Sequence, residues 1–324
     1  MRVLVTGSTG HLGEALMRLL PAAGHEPVGL DVKPGPFTAI NGSVADPAVV
    51  RAAMVGVDAV IHTATLHKPH VVTHTKADFV EVNISGTLAL LEAAAEAGVP
   101  RFVFTSTTSA FGAALNPGPD EPAAWIDENV RPIPKNIYGV TKTVAEDIAA
   151  LFAQRGEMNV TVLRTSRFFP EDDDSAAVRA RWSAENAKAN EFLYRRVDLE
   201  DAATAHIAAL TAGRGFQRYI VSAPPPFSRA DTADLRRDPH RVVARLFPQF
   251  EAVYAAAGWT MAPTFDRVYD SARALAGLGW RPRWDFAAIL AQVAAGSPIG
   301  SDLALTVGSK GYHETVFADG PFPV

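Results

Sequence analysis

The sequence contains no cysteine among its 324 residues. This absence excludes disulfides, thiolate catalysis, cysteine-ligated zinc and iron–sulfur clusters as features of the chain. An excess of charge of one sign is also lacking, because 30 Lys and Arg stand against 35 Asp and Glu. A nearly balanced, slightly acidic chain does not favour nucleic acid or an anionic membrane surface as a partner. We therefore expect a small molecule as the partner.

Long hydrophobic runs are missing as well. No stretch approaches the roughly 18 apolar residues of a membrane span. The first residues become polar and glycine-rich too soon for a signal peptide. We expect no membrane association and a cytoplasmic location.

Short apolar runs alternate with helical patterns through the first half of the chain. The helical stretches carry apolar residues three and four positions apart, and the apolar runs are typical of strands covered on both faces. This alternation predicts an α/β fold with a Rossmann-type, doubly wound parallel sheet, which binds ligands at the carboxyl ends of its strands. The predicted strands are residues 2–6, 26–31, 38–41, 59–63, 101–106 and 159–164, and the predicted helices are 12–23, 47–54, 78–97 and 137–153.

A glycine-rich motif follows the first predicted strand and enters the first predicted helix. It reads TGSTGHLG at residues 6–13. Gly7 permits a tight turn, Gly10 lets the backbone approach a pyrophosphate, and Gly13 lets the helix pack close to the strand. The helix N-terminus adds N–H groups and the positive end of a dipole. This context predicts a dinucleotide-binding loop.

A carboxylate, Asp31, closes the second predicted strand, 18 positions after Gly13. A carboxylate placed there accepts hydrogen bonds from both ribose hydroxyls of the adenosine half and repels a 2′-phosphate. The position therefore favours NAD over NADP.

Tyr138 and Lys142 lie four residues apart in the predicted helix 137–153 and so share one helix face. An ammonium beside a phenol favours the phenolate and lowers the pKa of the tyrosine towards neutrality, which makes it usable as a general acid or base on an alcohol or ketone. Five hydroxyl residues, 105–109, end the strand 101–106. A hydroxyl there can hydrogen-bond the same substrate oxygen.

The regular alternation weakens after residue 165. A helix over 199–212 and a strand over 218–221 extend the pattern, and the proline-rich run 222–226 interrupts it. We predict an NAD-binding Rossmann domain of residues 1–165 with about 199–222. A smaller C-terminal substrate-binding lobe would comprise residues 166–198 and 223–324.

Taken together, these motifs resemble the extended short-chain dehydrogenase/reductase superfamily, in its NAD-dependent epimerase/dehydratase branch. The resemblance covers about residues 1–165 and, more loosely, 195–295. It is carried by the glycine motif, by Tyr138 with Lys142, and by the stretches AVIHTA at 59–64, VNISGT at 82–87, FTST at 104–107 and LGWRP at 278–282.

The resemblance implies roles for the catalytic residues. Tyr138 is the expected acid/base, Lys142 tunes it and holds the nicotinamide ribose, and Thr107 is the expected catalytic hydroxyl, with Thr108 as a near rival. Asn83 is expected to support the cofactor through the backbone near the strand ends.

The resemblance also implies a set of cofactor contacts. At the adenine, Ser43 and Val44 match an Asp–aliphatic pair of the family, and the serine in place of aspartate weakens the adenine hydrogen bond. The expected contacts are Gly7, Thr9, Gly10, His11, Leu12, Gly13, Asp31, Ser43, Val44, Thr63, Ala64, Thr65, His67, Asn83, Thr105, Tyr138 and Lys142.

The activity implied by the resemblance is NAD-dependent hydride transfer at a secondary alcohol or ketone carbon of a sugar-type substrate. NAD⁺ would take the hydride while the Tyr138 phenolate takes the hydroxyl proton. A sugar-nucleotide epimerase and a dehydrogenase of a small free sugar, sugar acid or other hydroxy compound are both open. A non-catalytic NAD-binding regulator is a further alternative. The expected assembly is a homodimer through the helices 78–97 and 137–153.

One departure bears on the substrate. Where relatives acting on nucleotide sugars continue the strand 159–164 with an aromatic–Asn–Pro stretch, this chain reads TSRFFP at 165–170. The segment from there to Arg195 is also short for the branch. These differences make a smaller sugar, a sugar acid or another hydroxy compound a serious competitor to a nucleotide sugar.

Two clusters of ionisable residues are not expected to bind a metal. The four histidines between residues 62 and 74 are not spaced as a zinc site. His67 and Lys68 are expected either to face cofactor or substrate or to belong to a solvated loop. The acidic run 171–174 is expected to be a solvated loop before a helix over 175–187.

Four arginines are candidates for binding the substrate. The pair Arg195 and Arg196 could hold a phosphate or a carboxylate, and so could Arg167 and Arg267, although arginine is equally a surface ion-pair residue.

Overall fold

The computed structural model describes residues 1–311 of the chain. Within them, seven parallel strands form one sheet in the order β3-β2-β1-β4-β5-β7-β8, and β6 pairs with β9 in a separate parallel ribbon. The strands are β1 Arg2–Thr6, β2 Glu26–Asp31, β3 Ile40–Asn41, β4 Ala59–His62, β5 Arg101–Thr107, β6 Ala124–Ile126, β7 Asn159–Thr165, β8 Phe216–Val221 and β9 Arg267–Tyr269. This is the doubly wound topology that the sequence predicts.

The helices follow the strands and cover both faces of the sheet. They are α1 His11–Leu19, α2 Pro47–Ala53, α3 Lys76–Val80, α4 Gly86–Glu96, α5 Ile137–Gln154, α6 Ala176–Arg181, α7 Ala184–Phe192, α8 Leu199–Ala209, α9 Thr232–Arg237, α10 Pro239–Leu246, α11 Phe250–Ala257, α12 Ala272–Leu278, α13 Phe286–Ala294 and α14 Asp302–Val307.

Local chemistry explains several of these boundaries. The Asp46 carboxylate accepts from the Ala48 and Val49 amides and so caps α2. Asn136 caps α5 by accepting from the Gly139 amide. The predicted helix 78–97 is instead three pieces, because a π-helical turn over Glu81–Ser85 separates α3 from α4. π-helical turns are frequent at functional sites.

Several apolar cores hold the layers together. One face of the sheet packs on α1 and α8, and the other packs on α2, α4 and α5. A third core gathers residues from α7, α9, α10, α11 and α13 around Phe265 and Phe286. The β6–β9 ribbon borders this third core. The segment near residue 125 therefore packs with the part of the chain that follows residue 223. The lobe predicted over 223–324 extends past the described residues.

Two features are absent from residues 1–311. No helix there is long and apolar enough to cross a membrane. In the same residues no group of three or more His, Cys, Asp or Glu side chains is arranged to hold a metal ion.

Candidate active site

A cleft of about 1340 Å³ opens at the carboxyl ends of the central strands. Most of the residues predicted to contact a cofactor or substrate line it. They are Gly7, Thr9, Gly10, His11, Leu12, Gly13, Asp31, Ser43, Val44, Thr63, Ala64, Thr65, His67, Thr105, Thr107 and Tyr138. Asn83 and Lys142 are buried behind this wall.

The glycine motif forms the turn from β1 into α1. Gly7 has a φ of +72°, a left-handed conformation that favours glycine. A Cβ on Gly13 would lie 1.9 Å from the Gly7 carbonyl oxygen, so no other residue fits there. A Cβ on Gly10 would lie 3.3 Å from the same oxygen. The turn is therefore a cradle of bare backbone at a helix N-terminus, which fits a pyrophosphate.

Asp31 lies at the end of β2 and is buried beside this turn. Its two carboxylate oxygens accept from the Thr9 and Lys33 amides, each at 2.9 Å. These contacts fix the carboxylate at the rim of the cleft, where a nucleotide ribose would meet it. The cradle and this carboxylate together fit the adenosine diphosphate half of NAD.

The segment after β3 forms the part of the cleft where the sequence predicts the adenine contacts. The Ser43 hydroxyl accepts from the Ala45 amide at 3.1 Å, so the serine caps its own turn. Val44 packs closely on Gly86, where a Cβ would lie 2.9 Å from the valine Cγ2.

Asn83 anchors the loop that follows β4. Its side chain accepts from the Leu66 amide at 2.8 Å and donates to the Leu66 carbonyl at 2.8 Å. It also donates to Thr141 Oγ1 at 3.0 Å and receives a bond from Thr65. Since Asn83 lies in the π-helical turn, that turn links the loop after β4 to helix α5.

Tyr138 and Thr107 both line the cleft. Thr107 ends β5, and Tyr138 lies on the first turn of α5. Thr107 Oγ1 accepts from the Ser109 amide at 3.0 Å. Burial raises the pKa of Tyr138 to about 12, and the nearby Thr107 side chain opposes that rise.

The prediction that Lys142 lowers the pKa of Tyr138 is wrong for this structure, because burial outweighs any effect of the ammonium. Lys142 Nζ instead lies 4.1 Å from the centroid of the Phe104 ring. Burial lowers the pKa of Lys142 to about 7, against an opposing effect of Glu146. Burial therefore opposes the charged form of both side chains.

The hydroxyls around Thr107 have other partners. Thr105 Oγ1 and His206 Nε2 are 2.8 Å apart, which ties the Thr105 side chain to α8. Ser106 donates to Glu146, a fully buried carboxylate that also holds Arg164 Nε at 3.0 Å. Thr107 is thus the hydroxyl of this run that meets Tyr138.

The acidic run 171–174 is not the solvated loop that the sequence predicts. Glu171, Asp173 and Asp174 have side chains that are mostly buried, and all line the cleft. The helix predicted over 175–187 is also wrong, because α6 ends at Arg181 and α7 begins at Ala184. The acids are buried because cations from distant segments pair with them, which local sequence cannot reveal.

Several cleft residues have no sequence signal. Glu171 Oε1 lies 2.9 Å from His11 Nε2 at the start of α1, and the Lys310 amide donates to that carboxylate oxygen at 3.0 Å. Burial alone would raise the pKa of Glu171, but the bond to His11 holds it at about 2. Phe169 stacks on His67 with ring centroids 5.4 Å apart. These contacts join segments that are far apart in the sequence, so local sequence patterns cannot predict them.

The sequence matches the model of the NAD dependent epimerase/dehydratase family over residues 3–222. The UDP-glucose 4-epimerase of Rhizobium leguminosarum bv. trifolii is 32% identical over 173 residues, which cover 50% of this chain and 50% of that protein. The D-erythronate dehydrogenase of Cupriavidus necator is 31% identical over 188 residues, which cover 51% of this chain and 54% of that protein. This chain therefore spans about half the length of each of these curated relatives.

A solved structure extends the similarity to nearly the whole chain. A short-chain dehydrogenase/reductase superfamily protein from Agrobacterium tumefaciens, solved with bound NAD, matches with a TM-score of 0.65 at 22% identity. The alignment covers 91% of this chain and 96% of that one. At this identity the match supports the fold.

Proposed function

This chain belongs to the NAD-dependent epimerase/dehydratase family of enzymes, its cofactor is NAD, and we propose that it catalyses hydride transfer at a secondary alcohol or ketone carbon of a sugar-type substrate. The observation that carries the proposal is that Thr107 and Tyr138 line the same cleft as the glycine turn, with the Thr107 side chain near the Tyr138 phenol. Bound NAD⁺ supplies the hydride acceptor.

The roles of the chain's own residues follow from their positions. Tyr138 is proposed to exchange the proton of the substrate hydroxyl, and Thr107 to orient the same oxygen. Lys142 is proposed to supply positive charge on the Tyr138 face of α5 when it is protonated. Burial keeps competing water away from this group, which strengthens each electrostatic contact.

The cofactor half of the cleft is proposed to use the residues predicted from the sequence. The turn 7–13 would hold the pyrophosphate, Asp31 the ribose hydroxyls, and Ser43 with Val44 the adenine. The loop 63–67, braced by Asn83, would lie against the nicotinamide half. The lobe built around the third core would close over the substrate.

A sugar-nucleotide epimerase is one candidate within this proposal. It is supported by the UDP-glucose 4-epimerase among the relatives, whereas the D-erythronate dehydrogenase supports oxidation of a small hydroxy acid. We also propose a homodimer through α5, because Val140, Val144 and Leu151 expose apolar surface on that helix.

The test replaces Tyr138 by Phe, which removes the phenol oxygen and keeps the ring. We expect NADH formation from a panel of sugars and sugar acids, and conversion of UDP-glucose to its epimer, to fall by about 10²- to 10⁴-fold, with NAD affinity unchanged by calorimetry. The matched control is Tyr254→Phe, which removes a buried phenol bonded to Asn190 outside the cleft. Turnover retained in Tyr138→Phe would refute the assignment.

A further inference from the structure

Arg167 and Arg195 are brought together beside the catalytic hydroxyl. Thr165 pairs with Thr107 in the β5–β7 register, so Arg167 follows two residues, or about 7 Å, beyond that pair. A backbone bridge then sets Arg167 alongside Arg196, and the Val197 amide donates to the Arg167 carbonyl at 3.0 Å. Both Arg167 and Arg195 line the cleft that holds Tyr138.

A carboxylate of the chain already occupies the space between these two guanidinium groups. Asp173 Oδ2 accepts from Arg167 Nη1 at 2.7 Å and lies 4.0 Å from Arg195 Nη2. The second contact is too long for a hydrogen bond. Arg195 Nε is buried and has no hydrogen-bond partner among residues 1–311, and neither has the hydroxyl of nearby Ser166. Asp173 therefore satisfies this pair of arginines incompletely.

The second carboxylate of the cluster has a different character. Glu191 lies on α7, is buried, and contacts Arg195 at 2.8 Å and Arg196 at 2.8 Å. Glu191 contacts the arginines from the side that faces away from the cleft. Asp173 belongs to an irregular segment between β7 and α6 and reaches the arginines from the cleft side. Of the two, Asp173 is the carboxylate that can yield to a ligand.

Charge favours an anion as that ligand. The ion-pair network joins four cations, Lys68, Arg167, Arg195 and Arg196, to three carboxylates, Asp173, Asp174 and Glu191. If Asp173 withdraws, Arg167 keeps Asp174 at 3.5 Å and Glu191 at 3.7 Å, but the cluster carries one more uncompensated positive charge in a mostly buried setting. A neutral sugar cannot compensate that charge, whereas a carboxylate binds an arginine pair through two-pronged, charge-assisted hydrogen bonds.

We propose that Arg167 and Arg195 form the seat for the carboxylate of a hydroxy-acid substrate, and that Asp173 occupies this seat in the free protein. The inference rests on the proposed function, because it places the substrate's carbinol at Tyr138 and its carboxylate a few bonds away. It selects small sugar acids over neutral sugars and over nucleotide sugars.

The test measures binding to the NAD-loaded full-length chain by calorimetry. The probes are D-glucuronate, its neutral counterpart D-glucose, D-erythronate and UDP-glucose. We expect at least one acid to bind at least tenfold more tightly than D-glucose and than UDP-glucose. Equal binding of acid and neutral sugar, or tighter binding of UDP-glucose, would overturn the proposal.

Three variants assign that binding to the seat. Arg167→Gln should weaken acid binding about tenfold or more, Arg167→Lys should weaken it less, and Asp173→Asn should tighten it several-fold. NAD affinity should be unchanged in all three, which also shows that they fold. Arg241→Gln, an exposed arginine paired with Asp234, is the matched control. Unchanged acid binding in Arg167→Gln, or weaker binding in Asp173→Asn, refutes the seat.

The failure of the seat and the failure of the redox function give different results. If D-glucose is oxidised as readily as the acids, the seat is wrong and the oxidoreductase stands. If an acid binds through Arg167 and no probe is either oxidised with formation of NADH or converted to an epimer, the seat stands and the redox function is wrong.

Discussion

At the scale of single residues, burial governs the chemistry of the site. It raises the pKa of Tyr138 to about 12 and lowers that of Lys142 to about 7, so it opposes the charged form of each. The position of Lys142 four residues after Tyr138 in the sequence predicts instead a lowered pKa for the tyrosine. The i, i+4 spacing reveals which residues share a helix face, but it carries no information on how dry that face is.

Lys142 should therefore reduce the stability of the fold at neutral pH. Its ordinary pKa of 10.5 falls to about 7 in the folded chain, so between these values the unfolded chain binds more protons and stability rises with pH. At and below pH 7 the folded protein bears the full cost of the buried charge. Lys142→Met should then raise the free energy of unfolding at pH 7 by on the order of 2 kcal/mol while abolishing turnover.

Urea denaturation of both proteins at pH 7 and pH 10 measures this effect. The stability difference between Lys142→Met and the parent should shrink as the pH rises. Lys135→Met, at an exposed position, is the control and should change stability little at either pH. A difference that stays constant or grows with pH would show that burial does not perturb Lys142.

At the scale of elements, the glycine turn is the clearest link between sequence and structure. Gly13 belongs to α1 but lies against the carbonyl of Gly7, so the helix can approach the strand only if this position lacks a side chain. The spacing of three glycines after a strand predicts the role of Gly13. The structure supports it, because a Cβ at this position would lie only 1.9 Å from the Gly7 oxygen.

Gly13→Ala should disrupt this turn. A Cβ at 1.9 Å from the Gly7 oxygen forces helix and strand apart, so NAD affinity should fall at least tenfold and the melting temperature should drop. Gly118→Ala is the matched control, because its Cβ would meet Glu121 at an ordinary 3.4 Å. Calorimetry and thermal unfolding check both variants, and an unchanged NAD affinity in Gly13→Ala would contradict the proposed role of the turn.

Strands of the sheet were more predictable than helices with local breaks. Apolar runs such as 26–31 and 59–62 read directly as buried parallel strands, because both faces are covered. The apolar periodicity of residues 78–97 gives no indication of the π-helical turn around Asn83. The break after Arg181 arises where Ser183 caps a new helix through the Asn186 amide, a signal that the surrounding helix formers obscure.

At the scale of the whole molecule, the site joins segments that are far apart in sequence. The nucleotide side comes from strand ends in the first half of the chain, where motif spacing predicts it. The substrate side brings Asp173 to Arg195, and Lys310 to His11 near the N-terminus. Such pairings depend on how the later segments pack over the sheet, so sequence could nominate Arg167 and Arg195 but could not show what they bind.

The central claim is that this cleft is an NAD site, and nucleotide content tests it most directly. Freshly purified protein would be denatured, its released nucleotides quantified against protein, and the emptied protein titrated with NAD and NADP. We predict one NAD or NADH per chain at saturation, with NADP bound at least tenfold more weakly because Asp31 repels its 2′-phosphate. A chain that binds neither nucleotide, or that prefers NADP, would contradict the account.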